Sequence, residues 1–69
     1  MKKVISIEGM SCKHCAMRVE NSLKSLDQKA KVKVNLRNNE AEISSKEDIS
    51  DDKIKQVIED AGYRVISIS

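Results

Sequence analysis

The spacing of apolar residues changes four times along this 69-residue chain, and that order constrains the fold more than any other feature. Residues 2–8 alternate apolar and polar side chains, as a strand with one buried face does. Residues 15–26 place apolar side chains three and four apart, which predicts an amphipathic helix. Alternation returns at 32–43, helical spacing at 54–61, and a short apolar run follows at 65–68. The predicted order of elements is therefore β-α-β-β-α-β.

This order predicts one sheet with a layer of helices. Two β-α-β units, each with a right-handed crossover, lay both helices on the same face of a four-stranded antiparallel sheet. Ile5 and Ile7 are expected to point from the first strand into the core. Apolar residues make up 39% of the chain and aromatic residues 1%, so that core should be thin and aliphatic. We expect a single domain, residues 1–69, without a large enclosed substrate pocket.

Polar and flexible residues mark the turns and helix ends. Asn38-Asn39 supplies two residues that tolerate a positive φ, as a hairpin between the second and third strands requires. Ser50 is a good N-cap for the second helix, and Ile49 and Ile54 are spaced to pack across its first turn. Gly62 follows the apolar stripe of that helix, which predicts a left-handed C-terminal cap.

Charge and hydropathy exclude several classes of function. Thirteen basic and eleven acidic residues are mixed along the chain and give a formal net charge of +2. Without interleaved aromatic residues, this pattern does not predict binding to nucleic acid. No segment approaches the ~20 apolar residues of a membrane span, so direct membrane insertion is not expected. No export signal is visible, and two neighbouring cysteines are typical of a reducing compartment, which favours a cytoplasmic location.

Both cysteines lie in residues 9–15, Gly-Met-Ser-Cys-Lys-His-Cys, which join the first strand to the first helix. The unpaired N–H groups and partial positive charge of a helix N-terminus stabilise a thiolate relative to a thiol. Lys13 adds to the effect. We therefore expect Cys15, and with it Cys12, to be acidic thiols.

Spacing alone leaves three roles open for Cys12 and Cys15. The first is metal binding: a closed zinc site takes four ligands and the chain has two cysteines and one histidine, whereas two soft thiolates in a shallow loop suit Cu(I). The second is a thiol–disulfide couple, although a thioredoxin-type protein usually has a Trp and a Pro near the pair and this chain has neither. The third is a pair of buried structural cysteines, which fits poorly with a loop position between Ser11 and Lys13.

The motif at residues 9–15 is followed by a series of small and apolar positions: Val19, Leu23, Leu26, Val32, Val34, Leu36, Ala41, Ile43, Ile58, Ala61-Gly62-Tyr63 and Val65. Together they closely resemble the heavy-metal-associated domain over nearly the whole chain. Within that family the sequence is similar to the bacterial CopZ-type copper chaperones, which carry a tyrosine at the position of Tyr63 and often a histidine at that of His14. The resemblance implies a ferredoxin-like α+β sandwich and a Cu(I) ion held by the sulfurs of Cys12 and Cys15.

The resemblance also implies a partner and a mode of action. In the family, copper passes through intermediates in which thiols of two proteins share the ion, typically to the similar N-terminal domain of a copper-transporting P-type ATPase. Such a protein is a carrier and not an enzyme. Ser11 stands where relatives that handle zinc, cadmium or lead tend to have Asp, which favours Cu(I). A copper-bridged homodimer is left open, and a mercury-binding protein is a minor alternative.

Two other functions remain open at this point. The same domain could be a regulatory metal-binding domain of a copper ATPase, or the chain could be a small thiol–disulfide oxidoreductase that reduces disulfides such as those of insulin.

The neighbours of the cysteines each have two interpretations. Met10 anchors the loop in the core or supplies a third sulfur ligand. His14 is a solvated imidazole, or it tunes thiol acidity or caps a copper-bridged dimer. Tyr63 should return beside the end of the first strand, where it packs in the core or orients the cysteine loop. Three basic residues lie around the first helix: Lys13, Arg18 and Lys24. They form either a solvated face or a surface that steers an acidic partner.

One turn departs from the family pattern. Gln28-Lys29 follows the first helix where relatives commonly have Gly-Val. The usual left-handed cap and its apolar contact are then missing, so we expect a looser turn and a loss of ~1 kcal/mol in stability.

Overall fold

A computed structural model describes residues 1–69 and confirms the predicted order of elements. The elements are β1 (Lys2–Glu8), α1 (Lys13–Lys24), β2 (Lys31–Asn35), β3 (Glu40–Ser44), α2 (Asp51–Asp60) and β4 (Arg64–Ile68). Helix α1 begins and ends two residues earlier than predicted, so Cys12 is its N-cap residue and Cys15 lies in its first turn. Leu36, predicted to continue the second strand, lies in the hairpin turn instead. Neither helix is long and apolar enough to cross a membrane.

The four strands form one antiparallel sheet in the order β2-β3-β1-β4. Helix α1 packs on β2 and β3, α2 packs on β4, and the two helices contact each other, as in a ferredoxin-like α+β sandwich. The core between the layers is aliphatic, as predicted, and contains Ile5, Ile7, Met10, Val19, Leu23, Ala30, Ala41, Ile43, Ile49, Ile54 and Ile58.

The hairpin and the last strand differ in detail from the sequence pattern. Of the two asparagines in the hairpin turn, only Asn39 has a positive φ, at 53°. The pairing of β1 with β4 steps from Ser6 opposite Ser67 to Ile7 opposite Val65, which leaves Ile66 in a β-bulge. Ile66 is consequently 61% exposed, although its apolar character suggested an ordinary strand position.

The turn after α1 has no left-handed residue, as predicted, since Asn39 is the only non-glycine residue with a positive φ. Asp27 closes the turn instead. Its carboxylate accepts hydrogen bonds from the Lys29 N–H, at 3.0 Å, and from the Ser45 hydroxyl, and its carbonyl accepts one from the Ala30 N–H at 3.0 Å. The prediction of a looser turn considered only the loss of the left-handed cap and did not take these hydrogen bonds into account.

Both ends of α2 have the predicted caps. The Ser50 hydroxyl oxygen accepts a hydrogen bond from the Lys53 N–H at 3.3 Å. At the other end Gly62 has φ +97°, and the Tyr63 N–H donates to the Ile58 carbonyl at 3.2 Å. With the bond from the Gly62 N–H to the Glu59 carbonyl, this is a Schellman motif, which fixes where Tyr63 leaves the helix.

Gly62→Ala tests this cap. No heavy atom lies within 4 Å of a Cβ built at Gly62, so the substitution meets only backbone strain. We expect it to lower the free energy of unfolding by about 1–2 kcal/mol, the energy of placing an ordinary L-residue in the left-handed region. Urea denaturation measures the loss, and Gly62→Asn should recover part of it because asparagine tolerates this conformation. Full stability of the alanine variant would contradict the cap.

Candidate metal centre

The cysteine loop leaves β1 at its C-terminal end and is anchored in the core. Gly9 turns the chain with φ +104°, and the Met10 side chain is only 5% exposed. Met10 therefore packs inward, as the core-anchor interpretation predicts, while Ser11 and Cys12 return to the surface. The loop combines a fixed base with an accessible tip.

The two thiols lie side by side at the start of α1. Their Sγ atoms are 3.6 Å apart, and both cysteines are free. Cys12 is exposed, whereas Cys15 is half-buried and packs against the core. A disulfide has sulfurs about 2.05 Å apart, so this separation is that of two thiols near enough to share an ion or to be oxidised together.

No histidine, carboxylate or further cysteine joins these two sulfurs in a metal-binding group. No group of three or more His, Cys, Asp or Glu side chains lies together in a way that could hold an ion. His14 is exposed, on the turn of α1 that carries Cys15. A closed four-ligand zinc site cannot be built from this chain alone.

Tyr63 lies against the cysteine loop, as the topology predicted. A Cβ at Gly9 would lie 3.5 Å from Cδ1 of Tyr63, an ordinary van der Waals contact, so the ring packs directly against the start of the loop. A hydrogen bond from the Tyr63 hydroxyl is the largest of the effects that lower the pKa of Cys15 to about 6, followed by hydrogen bonds from the Ser11 backbone and the Cys12 side chain. The same contact with Cys15 raises the pKa of Tyr63.

The predicted acidity is thus confirmed for Cys15, but with a different main cause. The sequence argument relied on the helix N-terminus and Lys13, whereas the Tyr63 hydroxyl contributes most. Arg18 was predicted only as a surface charge, yet it lies near Tyr63 and opposes the rise in that pKa, by its charge first and then by a hydrogen bond. The sequence did contain a sign that Arg18 lies near this site, because a residue three positions after Cys15 is on the same face of the helix.

The basic residues of α1 fall into two groups. Lys24 forms an ion pair with Glu20 at 3.4 Å, so its charge is partly compensated. Lys13 and Arg18 are exposed, near the cysteines, and in no ion pair. Within α1, the positive charge that is free to meet an acidic surface therefore lies beside the cysteine loop.

Tyr63→Phe tests the origin of the acidic thiol. Because the hydroxyl lowers the pKa of Cys15, its removal should raise that pKa and reduce the thiolate fraction near neutral pH. We expect the pH profile of Cys15 alkylation by iodoacetamide to move upward, with a several-fold slower reaction at about pH 6.5. Peptide mass spectrometry separates Cys15 from Cys12, and circular dichroism controls for folding. An unchanged profile would rule out the Tyr63 hydroxyl as the main cause.

Comparisons with known proteins agree with this geometry. Residues 4–64 match the model of the heavy-metal-associated domain family. The copper chaperone CopZ of Staphylococcus haemolyticus is 39% identical over 66 residues, which are 94% of this chain and 97% of that protein. A CopZ metallochaperone structure is similar with a TM-score of 0.85 at 32% identity, covering 96% of this chain and 100% of the other. The yeast copper transporter domain Ccc2a, solved in apo and Cu(I)-loaded states, has a TM-score of 0.83 at 25% identity and covers 96% and 94%.

Proposed function

The chain belongs to the heavy-metal-associated domain family, and from that premise we propose that it is a cytoplasmic copper chaperone. It binds Cu(I) between Cys12 and Cys15 and passes the ion by thiolate exchange to the N-terminal domain of a copper-transporting P-type ATPase. The observation that supports this most is the pair of free thiols 3.6 Å apart at an accessible loop with no third ligand. Free thiols also fit a reducing compartment.

The donor set favours Cu(I) over other ions. Two thiolates are soft ligands and satisfy an ion of low coordination number, whereas Zn(II) would lack two of its four ligands. With metal–sulfur bonds of about 2.3 Å, a linear S–Cu–S arrangement needs sulfurs about 4.6 Å apart. The Sγ atoms lie 3.6 Å apart, so they must separate by about 1 Å to hold the ion, and Cys12 is the exposed member of the pair. The names of the relatives, a copper chaperone and a Cu(I)-loaded domain, support the same metal.

The same arrangement supports transfer by exchange. An incoming thiolate can approach on the side of exposed Cys12, form a third bond to Cu(I), and displace one of the two original sulfurs. The Tyr63 hydroxyl, which lowers the pKa of Cys15, stabilises the negative charge that the Cys15 sulfur carries when its bond to copper breaks. Copper is therefore never released as a free ion.

The test is a transfer experiment under anaerobic conditions. The protein, loaded with one equivalent of Cu(I), is mixed with the N-terminal domain of a copper-transporting P-type ATPase, and transfer is followed in stopped flow. Exchange predicts an observed rate that rises in proportion to the acceptor concentration. A rate independent of that concentration indicates dissociation and contradicts exchange, and absence of transfer contradicts the proposed partner. An acceptor whose own metal-binding cysteines are serines is the control.

A thiol–disulfide oxidoreductase is the second candidate, because one thiol is acidic and its neighbour is within 3.6 Å. The two functions make opposite predictions for an insulin reduction assay. A chaperone does not accelerate disulfide reduction above the rate of dithiothreitol alone, whereas an oxidoreductase does. On the chaperone proposal, a Cys12–Cys15 disulfide abolishes copper binding and is not part of a cycle.

A further inference from the structure

A recess lies at the end of the sheet opposite the cysteines. It has a volume of about 540 Å³ and is lined by Lys29 and Lys31 beside β2 and by Lys46 after β3, which we call the lysine recess. Strand β1 runs from Lys2, opposite Ser44 at this recess, to Glu8 at the cysteine loop. The metal centre and the lysine recess are therefore separated by the length of a strand.

The three ammonium groups of the lysine recess have no acidic partner. None lies within 4.0 Å of a carboxylate oxygen, which is also true of seven other basic residues, but these three line one recess. Like charges that surround one recess repel each other, and an anion between them relieves that repulsion. The unpaired lysines thus point to an anionic ligand.

The carboxylates of the recess compete little for the lysines. Asp27 accepts hydrogen bonds on both oxygens, from the Lys29 N–H and from the Ser45 hydroxyl. Glu47 is exposed and forms no ion pair, and its N–H donates to the Ser45 hydroxyl oxygen at 3.0 Å. Together with the hydrogen bond from Ser45, the charge of Lys29 contributes to the lowered pKa of Asp27. Three lysines against two carboxylates still leave the lining with a net positive charge that favours an anion.

The floor of the recess is fixed. Ser45 is only 8% exposed, and its N–H donates to the Met1 carbonyl at 2.8 Å. Because its hydroxyl also bridges Asp27 and the Glu47 N–H, the loop after α1 is tied to the loop after β3. A site whose backbone is already ordered loses less conformational entropy when it binds a ligand.

We propose that the lysine recess binds a phosphate group, carried either by free phosphate or by the headgroup of an anionic lipid. Several lysines of one recess suit the several acceptor oxygens of one phosphate, and a lysine binds phosphate as a point charge without strict geometry. The site goes beyond copper transfer and does not depend on it. An anion bound here leaves the cysteine loop accessible at the other end of the molecule.

The copper-free protein, which carries the recess unchanged, is the material for the test. Inorganic phosphate is titrated by NMR, and vesicles of phosphatidylglycerol or of phosphatidylcholine are tested by cosedimentation. We expect saturable shifts of the amides around Lys29, Lys31 and Lys46, or binding to phosphatidylglycerol alone. Lys29→Gln, Lys31→Gln and Lys46→Gln together should lower the affinity by about fivefold per lysine, roughly a hundredfold in all. The matched control removes the same charge elsewhere with Arg37→Gln, Lys53→Gln and Lys55→Gln, three exposed residues that do not line the recess.

Binding of either probe, or of both, supports the proposed site, and the comparison of the two probes identifies the source of the phosphate group. Shifts with phosphate alone identify a free phosphate as the ligand, and binding to phosphatidylglycerol vesicles alone identifies a lipid headgroup. Binding of neither, or an equal loss in the control variant, overturns the proposal. Copper affinity, measured in parallel, should be the same in both variants, so a failure to bind copper would contradict the proposed chaperone function without affecting this site.

Discussion

Replacement of Cys12 and Cys15 by serine together should abolish stoichiometric Cu(I) binding while leaving the fold intact. The structure brings these two soft donors within 3.6 Å of each other, and a serine hydroxyl is a poor ligand for Cu(I). Structural zinc sites with four ligands have binding free energies of 10–16 kcal/mol, or about 3 kcal/mol per ligand. Each single variant should therefore lose at least roughly a hundredfold in affinity. Anaerobic competition against a calibrated Cu(I) chelator measures the loss.

Controls for this prediction come from the neighbouring residues. Met10→Leu preserves an apolar side chain at a position that is 5% exposed, and His14→Gln removes the one imidazole near the centre. Both should retain Cu(I) affinity within about tenfold, because neither residue is a direct ligand in the proposed site. Wild-type Cu(I) affinity in the double serine variant would contradict the proposed site. A loss in Met10→Leu as large as in a single serine variant would instead identify Met10 as a third ligand.

Much of the fold could be predicted because its elements follow local rules. The alternation around Ile5 and Ile7, the capping hydroxyl of Ser50 and the left-handed cap at Gly62 are each encoded within a few residues. The bulge at Ile66 could not be predicted in this way, because it depends on how β4 pairs with β1 across the sheet. Apolar spacing shows which residues belong to a strand, but a one-residue insertion in the pairing changes which of them are buried.

The same distinction applies to the metal centre. The spacing of Cys12 and Cys15 and their position at the start of a helix are local, so the proposed ligand pair could be predicted from the sequence. The main cause of the acidity of Cys15 is not local, because Tyr63 is distant in sequence. Tyr63 lies near Cys15 through the packing of α2 and the C-cap that turns the chain at the end of that helix. Arg18 and Tyr63 come together for the same reason. Contacts between distant segments need the tertiary structure, and in this centre they tune a pair that the sequence already identifies.

Ile43→Ala should be among the most destabilising single substitutions in this protein. Ile43 is fully buried on β3, an inner strand of the sheet, where it lies opposite Lys3 of β1 and Val32 of β2. Removal of a buried isoleucine side chain to Cβ costs about 2–5 kcal/mol through lost burial and the cavity left behind. A domain of this length has a total stability of roughly 3–10 kcal/mol, so the variant should lose a large part of it. Urea denaturation of the copper-free protein measures the change.

Ile66→Ala is the matched control for that loss, because it removes the same atoms from a side chain that is 61% exposed. It should change the free energy of unfolding by less than about 0.5 kcal/mol. Equal losses at the two positions would contradict the placement of the core and of the β4 bulge. Copper adds a second readout, since an ion that binds only the folded protein stabilises it by mass action. One equivalent of Cu(I) should therefore raise the urea midpoint of Ile43→Ala, and the Cys12→Ser and Cys15→Ser substitutions should remove that increase.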